Sequence, residues 1–221
     1  MGDLGKRDLF ADRADAGRQL ASQLTELAAE KPIVVALPRG GVPIAKEIAD
    51  ALGAPLEILA VRKLGAPQNP EYGIGALAED GTCVVDAEAT TVLGLPDGEL
   101  DSIVAREQAE LTRRVRAYRG DRKALELTGR TVIVVDDGVA TGVTDTAALR
   151  AVRRQDPLRL VLAVPVSSPE ALEILRSEAD EVVCLRVPPL LRGVGQYYAD
   201  FSQVSDEEVL DALYPRADAA A

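Results

Sequence analysis

The sequence predicts an α/β fold built on a doubly wound, mainly parallel sheet. Three observations carry that prediction. Short runs are almost continuously apolar: IVVAL (Ile33 to Leu37), LEILAV (Leu56 to Val61), TVIVVD (Thr131 to Asp136) and LRLVLAVPV (Leu158 to Val166). Such runs suit strands covered on both faces. Segments of helical periodicity lie between most of them, which is the rhythm of βαβ units with right-handed crossovers. Turn-forming or small residues, PRGG and DDGVATG, stand at the junctions.

From Asp8 to Glu30 the pattern is helical, with Leu20, Leu24 and Leu27 on one face and KP closing the segment. IVVAL follows as a buried strand. IAKEIADALG then forms a helix ending at Gly53, and LEILAV a second strand, parallel to the first. RKLGAPQNPEYG reads as a long loop. IGALAE and TCVVD, separated by DG, read as a hairpin with a tight turn. Ala87 to Lys123 is helical and polar, broken by GLPDGE, and is expected to be an insertion in a single domain spanning 1–221. Strand TVIVVD, helix VTDTAALRAVRR, strand LRLVLAVPV, helix SPEALEILRSEA and strand DEVVCLRV restore the alternation. A small C-terminal hood is expected over about 187–204.

The 221 residues carry a net charge of −11, which argues against non-specific nucleic-acid binding. The basic stretch Arg106 to Lys123 has acids interleaved and reads as a solvated helix face. No apolar run reaches membrane-spanning length, and MGDLGKRDLF lacks a signal-like apolar region, so a cytoplasmic protein without membrane contact is expected. The chain contains no histidine, which removes the Ser-His-Asp triad and histidine-based zinc sites. Cys83 and Cys184 sit in apolar runs and read as buried structural thiols.

In open parallel sheets, ligands bind beyond the carboxyl ends of the strands. Three loops leave those ends: Pro38–Val42, Arg62–Tyr72 and Asp136–Thr144. In the third, Asp136 and Asp137 precede a loop, Gly138 to Thr144, whose small residues open a helix. Backbone amides and the helix terminus there suit a phosphate. The carboxylates can only accept hydrogen bonds, and so want hydroxyl groups or a cation. A ligand with a cis-diol at one end and a phosphate at the other meets both demands, and ribose 5-phosphate is the obvious candidate.

VIVVDDGVATGVT resembles the thirteen-residue signature of the type I phosphoribosyltransferases, which bind 5-phosphoribosyl-1-pyrophosphate (PRPP). The resemblance runs from about Ile33 to GQYYADF. It implies that Asp136 and Asp137 hold the ribose hydroxyls, and Mg²⁺ directly or through water, while Gly138, Val139, Ala140, Thr141, Gly142, Val143 and Thr144 form the phosphate loop. LPRGG resembles the family's pyrophosphate loop, so Arg39 and the Gly40 and Gly41 amides would hold the diphosphate, with a cis peptide before Arg39. Arg62 and Lys63 would assist, and the loop after them would close over the reacting centre, with Glu71 as a residue able to move a proton.

The implied activity is Mg²⁺-dependent transfer of the phosphoribosyl group to a nitrogenous base with release of diphosphate, in nucleotide salvage. The catalytic residues would be Asp136, Asp137, Lys63, Arg39 and Glu71, acting on an oxocarbenium-like sugar with no covalent intermediate. Six-oxopurine members carry an Asp where this chain has Ala140, which favours an adenine- or uracil-like acceptor. Tyr197, Tyr198 and Phe201 are candidates for stacking on the base. A homodimer is the candidate assembly. The alternative is a PRPP- or nucleotide-sensing regulatory protein of the same fold with little turnover. A receiver domain would need a later Lys, and none follows Lys123; a Walker loop and a dinucleotide-binding Gly-x-Gly-x-x-Gly are both missing.

Overall fold

The computed structural model describes residues 9–215 apart from 68 and 97, and within that span the side chains of all but 70, 71 and 88. In chain order the elements are α1 (Arg13–Gln23), β1 (Ile33–Ala36), α2 (Gly41–Leu52), β2 (Leu56–Ile58), β3 (Val61–Ala66), β4 (Asn69–Ala78) and β5 (Cys83–Val85). There follow α3 (Ala87–Leu93), α4 (Glu99–Arg119), β6 (Thr131–Val135), α5 (Val143–Arg153), β7 (Arg159–Val166), α6 (Pro169–Leu175), β8 (Glu181–Arg186) and α7 (Asp206–Leu213).

Five parallel strands form the central sheet in the order β2-β1-β6-β7-β8. The continuous apolar runs are explained by cover on both faces. Val34, Ala36, Ile133 and Val135 pack with Leu20, Leu24, Ile44 and Ile48 on the side of α1 and α2. Ile33, Val35, Val132 and Val134 pack with Leu149, Val152 and Leu175 of α5 and α6. The chain leaves β1 toward one face and β6 toward the other, so the gap between their carboxyl ends is the switch point where such sheets bind ligands.

A second, antiparallel sheet, β3-β4-β5, stands beside the first. The run LEILAV is therefore not one strand. It ends in the central sheet at Ile58 and re-enters the second sheet at Val61, with Leu59 and Ala60 buried between. The expected loop after Arg62 is mostly the two arms of the β3–β4 hairpin, while the β4–β5 hairpin at Asp80-Gly81 is as expected. Helices α3 and α4 cover the second sheet, where Ile103 and Leu111 of α4 pack with Leu64, Ile74 and Leu77.

Helix α1 stops at Gln23 and a 3-10 turn, Thr25–Glu30, completes the expected segment. Helix α7 was not expected, although its start is a capping box: Ser205 Oγ accepts from the Glu208 amide and Glu208 accepts from the Ser205 amide. Cys83 is exposed on the edge strand β5 and Cys184 is half-buried, so only the second approaches the expected buried thiol. In the basic stretch, Arg119 departs from a solvated face. It is buried, and its guanidinium meets Glu57 of β2, Glu79 after β4 and the Ile58 carbonyl at 3.3, 2.9 and 3.0 Å. Among the described residues no helix is long and apolar enough to cross a membrane.

Candidate active site

The loops after β1 and β6 meet at the switch point. The peptide joining Pro38 to Arg39 is cis, as the resemblance implied. The two glycines that follow are required by closeness. A Cβ on Gly40 would lie 2.0 Å from Asp137 Oδ2, and one on Gly41 would lie 2.5 Å from the Val135 carbonyl oxygen. The Gly41 amide already donates to the Leu37 carbonyl at 3.0 Å. Its expected part in holding an anion is corrected to a packing role: the small residue lets α2 begin against the end of β6.

Asp136 and Asp137 leave β6 side by side. Asp136 Oδ1 accepts from the Asp137 amide at 2.8 Å. Asp137 Oδ2 accepts from Arg13 Nε at 2.9 Å and lies 2.8 Å from Arg13 Nη2. Behind them, in the first turn of α5, Asp145 is buried with its Oδ1 unpartnered among the described residues. Burial, then the charges of Asp145 and Asp137, raises the Asp136 carboxyl well above the usual range. Burial likewise raises Asp137, with Arg13 opposing, and raises Asp145 to about 7.

The rest of the third loop divides into anchored and open parts. The Val139 amide donates to the Val166 carbonyl at 2.8 Å and its carbonyl accepts from the Ser168 amide at 3.0 Å. Val139 is buried and anchors the loop. Ser168 Oγ donates to the Ala140 carbonyl at 2.8 Å. Beyond this anchor Thr141 is exposed, and Gly142 adopts φ 78° to open α5 without a side-chain cap. The first amides of a helix have no intrahelical acceptor, so an uncapped start offers donors to an anion. Gly138 has φ 150°, and a Cβ there would meet Val194 Cγ1 at 2.5 Å. The hood thus rests directly on the acid loop.

Other expected residues are distributed unevenly. Arg39 lies 3.6 Å from Asp206 at the start of α7, whose carboxylate also accepts from the Tyr118 hydroxyl at 2.5 Å. Arg62 does not face the loops: its Nε donates to Glu107 at 2.7 Å, and Glu110 lies 3.8 Å away, both on α4. Strand alternation sends neighbouring side chains to opposite faces, so Arg62 ties the hairpin to α4 while Lys63 lies across Gly73 of the facing strand. The expectation of a diphosphate contact from Arg62 is accordingly corrected. The side chain of Glu71 lies outside the described residues.

The aromatic trio is also reassigned. Tyr197 and Tyr198 are each 5% exposed and pack with Phe10, Ala16 and Val166, which leaves little ring surface for a base. The Tyr198 hydroxyl donates to the Asp137 carbonyl at 2.6 Å, a contact that burial of the ring makes costly to lose. Phe201 is 38% exposed, and its ring centroid lies 3.9 Å from the Arg13 guanidinium carbon. Arg13 itself was invisible to sequence reasoning, since 124 residues separate it from Asp137.

No group of three or more His, Cys, Asp or Glu side chains able to hold a metal occurs among the described residues. The adjacent carboxylates of Asp136 and Asp137 are hard oxygen donors, a chemistry that fits Mg²⁺.

Comparison with known proteins agrees with this geometry. A phosphoribosyl transferase domain family matches residues 8–199. Two Mycobacterium tuberculosis proteins, from strains CDC 1551 and H37Rv and named as candidate phosphoribosyl transferases, are 45% identical over 205 residues. That match covers 93% of this chain and 46% of theirs, so the chain spans about half the length of those curated relatives. A crystal structure of the Thermus thermophilus protein TT1426 superposes with a TM-score of 0.78 at 45% identity, covering 93% of this chain and 97% of that one. The Aquifex aeolicus protein AQ2163 shares the fold at 15% identity, with a TM-score of 0.50 over 91% of this chain and 85% of that one. The chain belongs to the phosphoribosyl transferase domain family.

Proposed function

We propose that the protein transfers the phosphoribosyl group of PRPP to a ring nitrogen of a base, releasing diphosphate. One observation carries the reading: the acid pair Asp136–Asp137 and the uncapped start of α5 leave the same strand end at the switch point. Hydroxyl-seeking and phosphate-seeking groups are thus set on one short loop. The Gly142 to Thr144 turn receives the 5-phosphate, and the two aspartates receive the ribose hydroxyls.

As the C1–diphosphate bond breaks, its electron pair departs with the diphosphate and positive charge grows on the sugar ring. The carboxylates at the hydroxyls lie on the side that favours that charge. Arg39 exchanges Asp206 for the departing diphosphate, and Lys63 approaches from the hairpin. The base nitrogen bonds to C1 from the opposite face and its proton passes to solvent or to Glu71. Asp136 and Asp137 would hold Mg²⁺, which when bound would supply charge neutralisation for the leaving group.

Ala140 supports an adenine- or uracil-like acceptor, since no carboxylate stands there to accept a proton from a six-oxopurine. Phe201 is the ring of the aromatic trio with area left for the base. A salvage role and a soluble, cytoplasmic setting follow as part of the same reading. The test incubates the protein with PRPP, Mg²⁺ and adenine, uracil, hypoxanthine or guanine in turn, and measures diphosphate release. Release with adenine or uracil is expected. Tight PRPP binding without release for any base would replace the enzyme with a PRPP-sensing protein.

A further inference from the structure

Arg13 makes an unusual pair with Asp137. Arginine and carboxylate normally meet as two forks, one nitrogen to each oxygen. Here Nε and Nη2 both address the same oxygen, Oδ2, at 2.9 and 2.8 Å. The third nitrogen, Nη1, donates to the Ser202 carbonyl at 2.8 Å, and the guanidinium lies on the Phe201 ring. The pair is largely enclosed, with 11% and 17% of the two side chains exposed.

The segment that carries Arg13 is fixed independently of the pair. The Phe10 amide donates to the Tyr197 carbonyl, and the Ala199 and Asp200 amides donate to the Phe10 and Ala11 carbonyls, at 2.8 to 2.9 Å. Asp12 caps α1 by accepting from the Asp15 amide at 2.7 Å. Arg13 is therefore held in place before it touches Asp137.

The consequence is an allocation of oxygens. Asp136 Oδ1 is taken by the Asp137 amide and Asp137 Oδ2 by Arg13. Neither contact involves the second oxygen of its carboxylate, Asp136 Oδ2 or Asp137 Oδ1. We infer that Arg13 is a positioning residue for sugar recognition: by holding one oxygen of Asp137 it sets the acid pair to accept two vicinal hydroxyls, one per carboxylate. This rests on the sugar-phosphate reading above and adds that selectivity for a ribose over a 2-deoxyribose is set from outside the signature loop.

The experiment is calorimetric titration of wild type, Arg13→Gln and Arg13→Lys with ribose 5-phosphate and with 2-deoxyribose 5-phosphate, in Mg²⁺, with circular dichroism as a check of folding. Wild type is expected to prefer ribose 5-phosphate by about tenfold, the order of one hydrogen bond to a charged group. The preference should fall to about twofold or less in Arg13→Gln and recover in part in Arg13→Lys. An unchanged preference in a folded Arg13→Gln, or equal weakening of both sugars, overturns the inference while leaving the sugar-phosphate site standing. Failure of wild type to bind either sugar phosphate overturns both. Should Arg13→Gln not fold, Phe201→Leu, which removes the ring under the guanidinium, is expected to erode the same preference, and an unchanged ratio there overturns the inference.

Discussion

Asp137 Oδ2 occupies the position a methyl group on Gly40 would need, 2.0 Å from an ideal Cβ there. The loop after β1 and the acid loop are therefore in contact through backbone on one side and carboxylate on the other. Gly40→Ala should displace Asp137 from Arg13, at a cost of about 1–3 kcal/mol in overpacking. PRPP affinity measured by calorimetry should fall more than tenfold. An alanine variant that binds PRPP as wild type does would show that the two loops can separate without consequence.

Asp137→Ala removes both the proposed hydroxyl acceptor and the partner of an enclosed guanidinium. Loss of one member of a buried pair typically costs about 3–5 kcal/mol, and the residual exposure here points to the lower end. Thermal unfolding should shift down, and PRPP binding or turnover should fall sharply. Asp137→Asn, which keeps the shape, should recover stability better than ligand affinity. Unchanged binding and turnover in Asp137→Ala would remove the acid pair from the mechanism.

Asp145 gives a prediction in pH. Its carboxyl is raised to about 7, chiefly by burial, with Asp137 also unfavourable. A carboxyl raised in the folded state favours folding most below its unfolded value, and that advantage is lost as pH climbs to the folded value. Wild type should therefore lose stability between about pH 4 and pH 7 on account of this group. Asp145→Asn should unfold at a higher temperature than wild type at about pH 8, with the gap narrowing at about pH 5. An equal gap at both values would mean that Asp145 does not carry the titration.

Arg62 predicts a division of labour within the hairpin. Arg62→Ala breaks the contacts to Glu107 and Glu110, so amide exchange in β3 and β4 should accelerate. PRPP affinity should fall less than in Arg39→Ala, whose guanidinium stands on the proposed diphosphate loop. Equal losses in the two variants would return Arg62 to the ligand.

The signature loop was legible because everything it needs is contiguous: a buried strand, two acids, small residues and a helix within fourteen positions, Thr131 to Thr144. The cis peptide before Arg39 followed from the resemblance. Leu59 and Ala60 hid the boundary between sheets because both sheets bury their strands, and no polar residue marks the passage. Ser205 to Glu208 carry a capping-box pattern that is readable in the sequence as the start of α7. Arg62 turns to α4 because neighbouring side chains on a strand leave by opposite faces, and a buried strand does not by itself say which face meets the loops. Arg13 could not have been found by spacing, since its partners lie 124 and 189 residues away.

Those separations bear on how the protein comes into being. The bonds joining Phe10 to Tyr197 and Arg13 to Ser202 span nearly the whole domain, and closing so large a loop is entropically slow work. A chain emerging from synthesis has its strand β6 and both aspartates long before residue 202 arrives. Until that segment arrives, Arg13 lacks the Ser202 carbonyl and the Phe201 ring, and Val194 cannot rest on Gly138. The proposed sugar half-site therefore takes its final surroundings only once both ends of the domain have come together.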